Sequence, residues 1–201
     1  MLGLSAHEDT FARDSLPAPE LWPDFKLEGF DYPERLNAGY ELTDAMVGKG
    51  FGDHTALIGN GRQRTYKELA DWTNRLAHVL VEELGVRPGN RVLIRSANNP
   101  AMVACWLAAT KAGAVVINTM PMLRAGELGQ IIDKAEVEFA LCDMRLIEEM
   151  EACAAESHHL QRLVGFAGTS HREHGLARPA PAHPVPSAAC PPGPAHVAFL
   201  C

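Results

Sequence analysis

Apolar residues fall at helical spacing most clearly over residues 66–84, where Leu69, Trp72, Leu76, Val79, Leu80 and Leu84 recur at i, i+3 and i+4. That stripe predicts an amphipathic helix. Thr65 and Glu68 form a T-x-x-E capping box at its start, and Gly85 stands where a helix ends. Just upstream, TALIGNGRQRT (55–65) sets two strand-like runs around Gly59-Asn60-Gly61, which predicts a hairpin. Downstream, short β-rich runs alternate with helical stretches. RVLIR (91–95) is followed by a helix that Asn98-Asn99-Pro100 opens and Gly113 closes after Ala112. AVVIN (114–118), a helix over 125–135, EFALC (138–142), a helix near 144–155 and LQRLVGF (160–166) complete the series. This order predicts an α/β fold: a mostly parallel sheet with flanking helices, joined by right-handed crossovers.

The flanks break the pattern. In residues 1–39, Pro17, Pro19, Pro23 and Pro33 interrupt the aromatic anchors Phe11, Trp22, Phe25, Phe30 and Tyr32. Proline at that density excludes one long helix and predicts an irregular arm with short helical turns. Residues 40–48 read as a short helix with Leu42, Ala45 and Met46 on one face. From 168 onward periodicity stops, and residues 171–201 hold seven Pro, seven Ala and four His. The expected organisation is an arm (1–39), an α/β unit (40–167) and a Pro/Ala/His-rich tail (168–201) that is disordered or translated out of frame. Its last residues, HVAFLC, resemble the start of a strand.

Composition narrows the function classes. A net charge of -7 over 201 residues counts against a nucleic-acid binder, which needs a basic surface to neutralise phosphates. The N-terminal residues are acidic and lack the apolar region of a signal peptide, and no apolar run reaches the ~20 residues of a membrane helix. The five cysteines include no CxxC pair, and Cys105 and Cys142 lie in apolar runs. That usage fits reduced thiols in a cytoplasmic protein rather than a disulfide framework or a zinc site.

Two segments, 64–94 and 98–143, carry a family resemblance. Thr65-Tyr66-Lys67-Glu68-Leu69 matches T-Y-x-E-L, and Lys111-Ala112-Gly113 opens a K-A-G-x-x-x match. Pro121, Leu123, Glu127 and Leu128 fit the P-x-L-x-x-x-E-L segment that follows. These motifs resemble the N-terminal part of the adenylate-forming enzymes: acyl-CoA ligases, luciferases and peptide-synthetase adenylation domains. HEDTFARDSLPAPELWPDF and YPERLN are similar to the opening of the benzoate and 2-aminobenzoate CoA ligases. The resemblance implies a parent reaction in which an aromatic carboxylate, ATP and coenzyme A give an aryl-CoA, AMP and pyrophosphate, with Mg assisting.

The same residues have structural explanations. Capping accounts for Thr65 and Glu68, a helix end for Gly113, and the helix dipole for Lys111. Tyr66 reads as a packing residue. The family's phosphate loop, [ST]-S-G-[ST]-T-G-x-P-K-G, has no counterpart; Gly168-Thr169-Ser170 echoes it without the second Gly, the Pro and the Lys. No catalytic, cofactor-binding or metal-binding residue is therefore expected in this chain alone, which reads as an inactive piece of a ligase. Arg95, Asn98 and Asn99, with Ser96, follow the carboxyl end of a strand, where open α/β sheets seat ligands, and are the ligand-proximal candidates; an N-cap and solvated loop is the simpler account. Gly48-Lys49-Gly50-Phe51-Gly52 lacks the preceding strand that a dinucleotide fingerprint requires. His171 and His174 flank Arg172-Glu173 in the tail, where no helix is predicted to align them on a metal. Two further classes stay in view: a non-catalytic module that binds a partner or self-associates through an uncovered sheet face, and a dinucleotide-dependent α/β enzyme.

Overall fold

The computed structural model describes residues 5–24, 29, 33 and 35–166. The expectations placed on Phe25, Phe30, Tyr32 and the tail from 168 onward lie outside them. The arm contains a single turn of helix, α1 (Phe11–Asp14), and a 3₁₀ turn at Pro19–Leu21. Two short helices follow, α2 (Ala38–Glu41) and α3 (Asp44–Met46), and then a wide turn over Val47–Phe51. Strands β1 (Thr55–Gly59) and β2 (Arg62–Thr65) pair antiparallel, with Asn60 and Gly61 both at positive φ, as a tight hairpin turn requires. Helix α4 (Tyr66–His78) starts at the capping box and continues through a π turn to Glu83.

The rest is a parallel sheet with its crossovers: β3 (Arg91–Arg95), α5 (Pro100–Lys111), β4 (Val115–Thr119), α6 (Ala125–Ala135), β5 (Phe139–Asp143), α7 (Ile147–Glu156) and β6 (Arg162–Phe166). The strand order is β4-β3-β5-β6. Alternation sends Val92 and Ile94 of β3 to one face and Leu93 to the other. On the first face they meet Leu80, Cys105, Ala108 and Phe139 beneath α4 and α5. On the second, Leu93 meets Leu128, Ile132 and Met150 beneath α6 and α7. The fold is thus the α/β arrangement expected, with helices on both faces of a parallel sheet.

Residues 40–48 depart from expectation. Leu42 is 53% exposed and Thr43 is buried, so the predicted apolar face does not form. The cause is close packing of Gly39 on α5: a Cβ there would lie 2.7 Å from the Leu107 carbonyl oxygen. The chain turns to keep that contact, and the Thr43 hydroxyl donates back to the Gly39 carbonyl at 2.6 Å. The arm is fixed at the amino end of β3. Backbone N–H groups of Glu8 and Asp9 both donate to the Pro88 carbonyl at 3.0 Å. The Asp9 carboxylate receives Arg91 Nη1 and, at 3.0 Å, Asn90 Nδ2.

Candidate functional site

Helix α5 leaves β3 toward one face of the sheet and α7 leaves β5 toward the other, and β3 and β5 are neighbours. Their carboxyl ends therefore form a topological switch point, the place where open α/β sheets accommodate ligands. Ser96, Asn98 and Asn99 flank it from β3, and Asp143 and Arg145 from β5. Asn99 is engaged as a cap: its Oδ1 accepts from Met102 N at 2.9 Å and its Nδ2 donates to Ser96 Oγ at 2.9 Å. Asn98 is exposed. Asp143 is fully buried and takes Arg145 bidentately, at 3.0 Å from Nε and 2.6 Å from Nη2. Burial pushes the Asp143 carboxyl up, but the Arg145 hydrogen bonds and charge, with Ser96, hold it below the ordinary aspartate value.

Arg95 is turned away from this crevice. It is 1% exposed and donates to the carbonyls of Met120 (3.3 Å), Pro121 (3.0 Å) and Leu123 (2.7 Å). The sequence placed it among ligand-proximal residues; strand alternation instead sends its side chain inward, beneath the β4–α6 loop.

The family-motif residues occupy separate places. Thr65 and Glu68 cap α4, with Thr65 N donating to Glu68 Oε2 at 2.9 Å and Glu68 N to Thr65 Oγ1 at 3.2 Å. The Thr65 backbone donor is the main reason the Glu68 carboxyl sits low. Leu69 is buried in the core and Tyr66 is half-buried, its N–H given to the His54 carbonyl at 3.0 Å. Ala112 and Gly113 end α5, Gly113 at φ +77 and its carbonyl accepting from Gly89 N at 2.8 Å. Pro121 lends a carbonyl to Arg95, and Glu127 caps α6 by accepting from Arg124 N at 3.0 Å.

Lys111 does more than meet the helix dipole. Its ammonium contacts Asp44 Oδ2 at 2.5 Å, Thr73 Oγ1 at 2.8 Å and Asn74 Oδ1 at 2.7 Å, so all three hydrogens are used. Burial pushes the Asp44 carboxyl up, yet the Asn74 and Lys111 hydrogen bonds, the Lys111 charge and Thr43 bring it below its ordinary value. For Lys111, burial outweighs the support of Asp44 and lowers the ammonium pKa. Nothing in the sequence near Lys111 announces Asp44, which lies far upstream. The same holds for Glu149 of α7, which accepts from Ala125 N at 2.8 Å and so caps α6 from another helix.

Gly48–Gly52 forms the wide turn after α3, with Lys49 paired to Glu41 at 3.6 Å. Among the described residues, no group of three or more His, Cys, Asp or Glu side chains could hold a metal ion, and no helix is long and apolar enough to cross a membrane. Cys105, Cys142 and Cys153 are free and buried; burial pushes the thiols of Cys105 and Cys142 up to about 12. A shallow groove of about 250 Å³ between α5 and β4 is lined by Met102, Val103, Trp106 and Asn118.

The model of the AMP-binding enzyme family matches residues 45–201, running through the Pro-rich segment. A 3-hydroxybenzoate–CoA ligase of Aromatoleum sp. (strain CIB) is 28% identical over 121 residues, 60% of this chain and 23% of that protein. The structure of an anthranilate CoA ligase in complex with anthranoyl-AMP superposes with a TM-score of 0.63 at 20% identity, over 68% of this chain and 26% of that one. A benzoate CoA ligase from Burkholderia xenovorans LB400 superposes with a TM-score of 0.60 at 20% identity, over 66% and 26%. The chain thus spans about a quarter of the length of these relatives. With the α/β architecture shared and more than half of its residues matched by one family model, the chain belongs to the AMP-binding enzyme family.

Proposed function

We propose that this chain is the N-terminal part of an ATP-dependent acid–CoA ligase whose substrate is an aromatic carboxylate, and that alone it carries no ligase activity. The family match through residue 201, together with likeness to hydroxybenzoate, benzoate and anthranilate ligases over only a quarter of their length, carries this reading. The parent would use ATP, Mg and coenzyme A. The described residues do not fit those groups. The motif side chains are committed to caps and to the Asp44–Lys111 pair, and the switch-point carboxylate is neutralised by Arg145. Stabilising charge on a transferring phosphate needs preorganised donors and cations, and the motif cation Lys111 is already engaged by Asp44, Thr73 and Asn74. The test is ATP–pyrophosphate exchange with benzoate, 2-aminobenzoate and 3-hydroxybenzoate. The 201-residue chain should give background exchange, and the chain extended by its downstream coding sequence should give acid-dependent exchange. Robust exchange by the 201 residues alone refutes the fragment reading; an inactive extended chain refutes the ligase reading.

The groove beside β4 favours a second reading, a non-catalytic module that pairs with a partner chain or with itself, since exposed apolar surface of this kind attracts partners. A monomeric sedimentation profile with one cooperative unfolding transition would count against it.

A further inference from the structure

We propose that Arg95 is a conformational clasp: a buried cation whose role is to fix the backbone of the loop between β4 and α6. Its guanidinium lies under the loop and reaches three carbonyls within four residues of it, those of Met120, Pro121 and Leu123. No carboxylate among the described residues lies within ion-pair distance of Arg95, and its Nε hydrogen has no partner. Burying a charge with no carboxylate in direct contact is costly, with only Glu149 acting on it through space, and an apolar side chain of similar volume would fill the same site with less desolvation. What an apolar side chain cannot do is reach three carbonyls that point in different directions. A planar guanidinium with five donors can, and an ammonium cannot do so with the same geometry.

Apart from Leu123, which packs against the cluster around Leu93 and Leu128, the loop has little else to hold it. Met120 is 60% and Met122 is 78% exposed, so neither side chain anchors it in the core. Its internal backbone bond, Leu123 N to Met120 O, is long at 3.3 Å. Beyond it, Arg124 N donates to Glu127 and Ala125 N to Glu149, both part of the α6 cap. Arg95 therefore ties the carboxyl end of β3 to the segment that sets where α6 begins. This clasp is independent of the ligase reading, because it follows from the carbonyl geometry alone.

The test is hydrogen–deuterium exchange on the 201-residue chain carrying Arg95→Met or Arg95→Lys, read at the amides of Leu123 and Arg124, with Val92–Ile94 and Ala140–Cys142 as controls for folding. A clasp predicts that both variants speed exchange in the loop by about tenfold or more, the factor that one lost charge-assisted hydrogen bond is worth, with the control strands changed less than about twofold. Loop exchange within twofold of wild type in either folded variant overturns the proposal, as does an increase of the same size in loop and control strands. Should Arg95→Met fail to fold, the lysine variant decides the matter, since it retains the charge and loses only the fork.

Discussion

Asp44→Ala removes the anion that faces Lys111 and leaves the ammonium buried against Thr73 and Asn74. The Lys111 side chain is 9% exposed and that of Asp44 19%, so water cannot replace the lost partner without local opening. Breaking one side of a buried pair costs about 3–5 kcal/mol, and two neutral acceptors remain here, so a loss of about 3 kcal/mol is expected. Against a total stability of about 5–15 kcal/mol that is a large fraction, readily resolved by urea denaturation followed by circular dichroism. Lys111→Met on the Asp44→Ala background removes the stranded charge as well. The double variant should then recover at least about 1 kcal/mol over Asp44→Ala, a coupling typical of contacting residues. The pH dependence carries its own sign. The folded Asp44 carboxyl lies below 3.8, so its contribution is complete above the unfolded value and is lost as pH falls through the folded one. The midpoint gap between wild type and Asp44→Ala should hold from pH 5 to 7 and close in stronger acid. A cost under about 1 kcal/mol for Asp44→Ala, or strict additivity in the double variant, would show that the pair does not hold α3 onto α4 and α5.

Three further outcomes can be checked with the same chain. Thr65→Ala should cost about 1 kcal/mol in urea denaturation, the usual worth of an N-cap, because the reciprocal bonds with Glu68 are lost. Asp9→Ala should cost about 2 kcal/mol and speed tryptic cleavage at Arg13, since Arg91 then keeps its carbonyl partners at Ala135 and Glu136 but releases the arm. Cys105 and Cys142, buried and with thiols near pKa 12, should resist alkylation at pH 8 until the chain unfolds, as read by mass mapping of labelled peptides.

The elements that local chemistry specifies were legible in the sequence. The capping box at Thr65 and Glu68, the Asn60-Gly61 turn, the Asn99-Pro100 helix start and the left-handed Gly85 and Gly113 all stand where the pattern predicts them. Each depends on residues at most four apart, so the sequence displays cause and effect together. Residues 40–48 were misread because their conformation is set from outside: Gly39 must touch the α5 backbone, and Thr43 must be buried to allow it. The roles of Asp9, Asp44 and Glu149 were invisible for the same reason, since their partners are 82, 67 and 24 residues away along the chain. Arg95 turns on a finer detail. Its position at the end of a strand was read correctly, but a one-residue step in the pleat decides whether a side chain faces the crevice or the layer beneath α6.

The placement of the motif residues bears on how the family signature should be interpreted. Thr65, Glu68 and Leu69 begin α4; Lys111, Ala112 and Gly113 finish α5; Pro121 and Glu127 lead into α6. They converge on no common point, and each is spent on a cap, a chain reversal, core packing, the Arg95 contact or a buried pair. In a complete ligase, Lys111→Met should therefore lower thermal stability while leaving KM for acid and ATP within about twofold, because a group that stabilises the fold alone makes no interaction that strengthens in the transition state. A large change in KM at unchanged stability would mean that the pair with Asp44 is broken when substrate binds. The signature would then report chemistry as well as architecture.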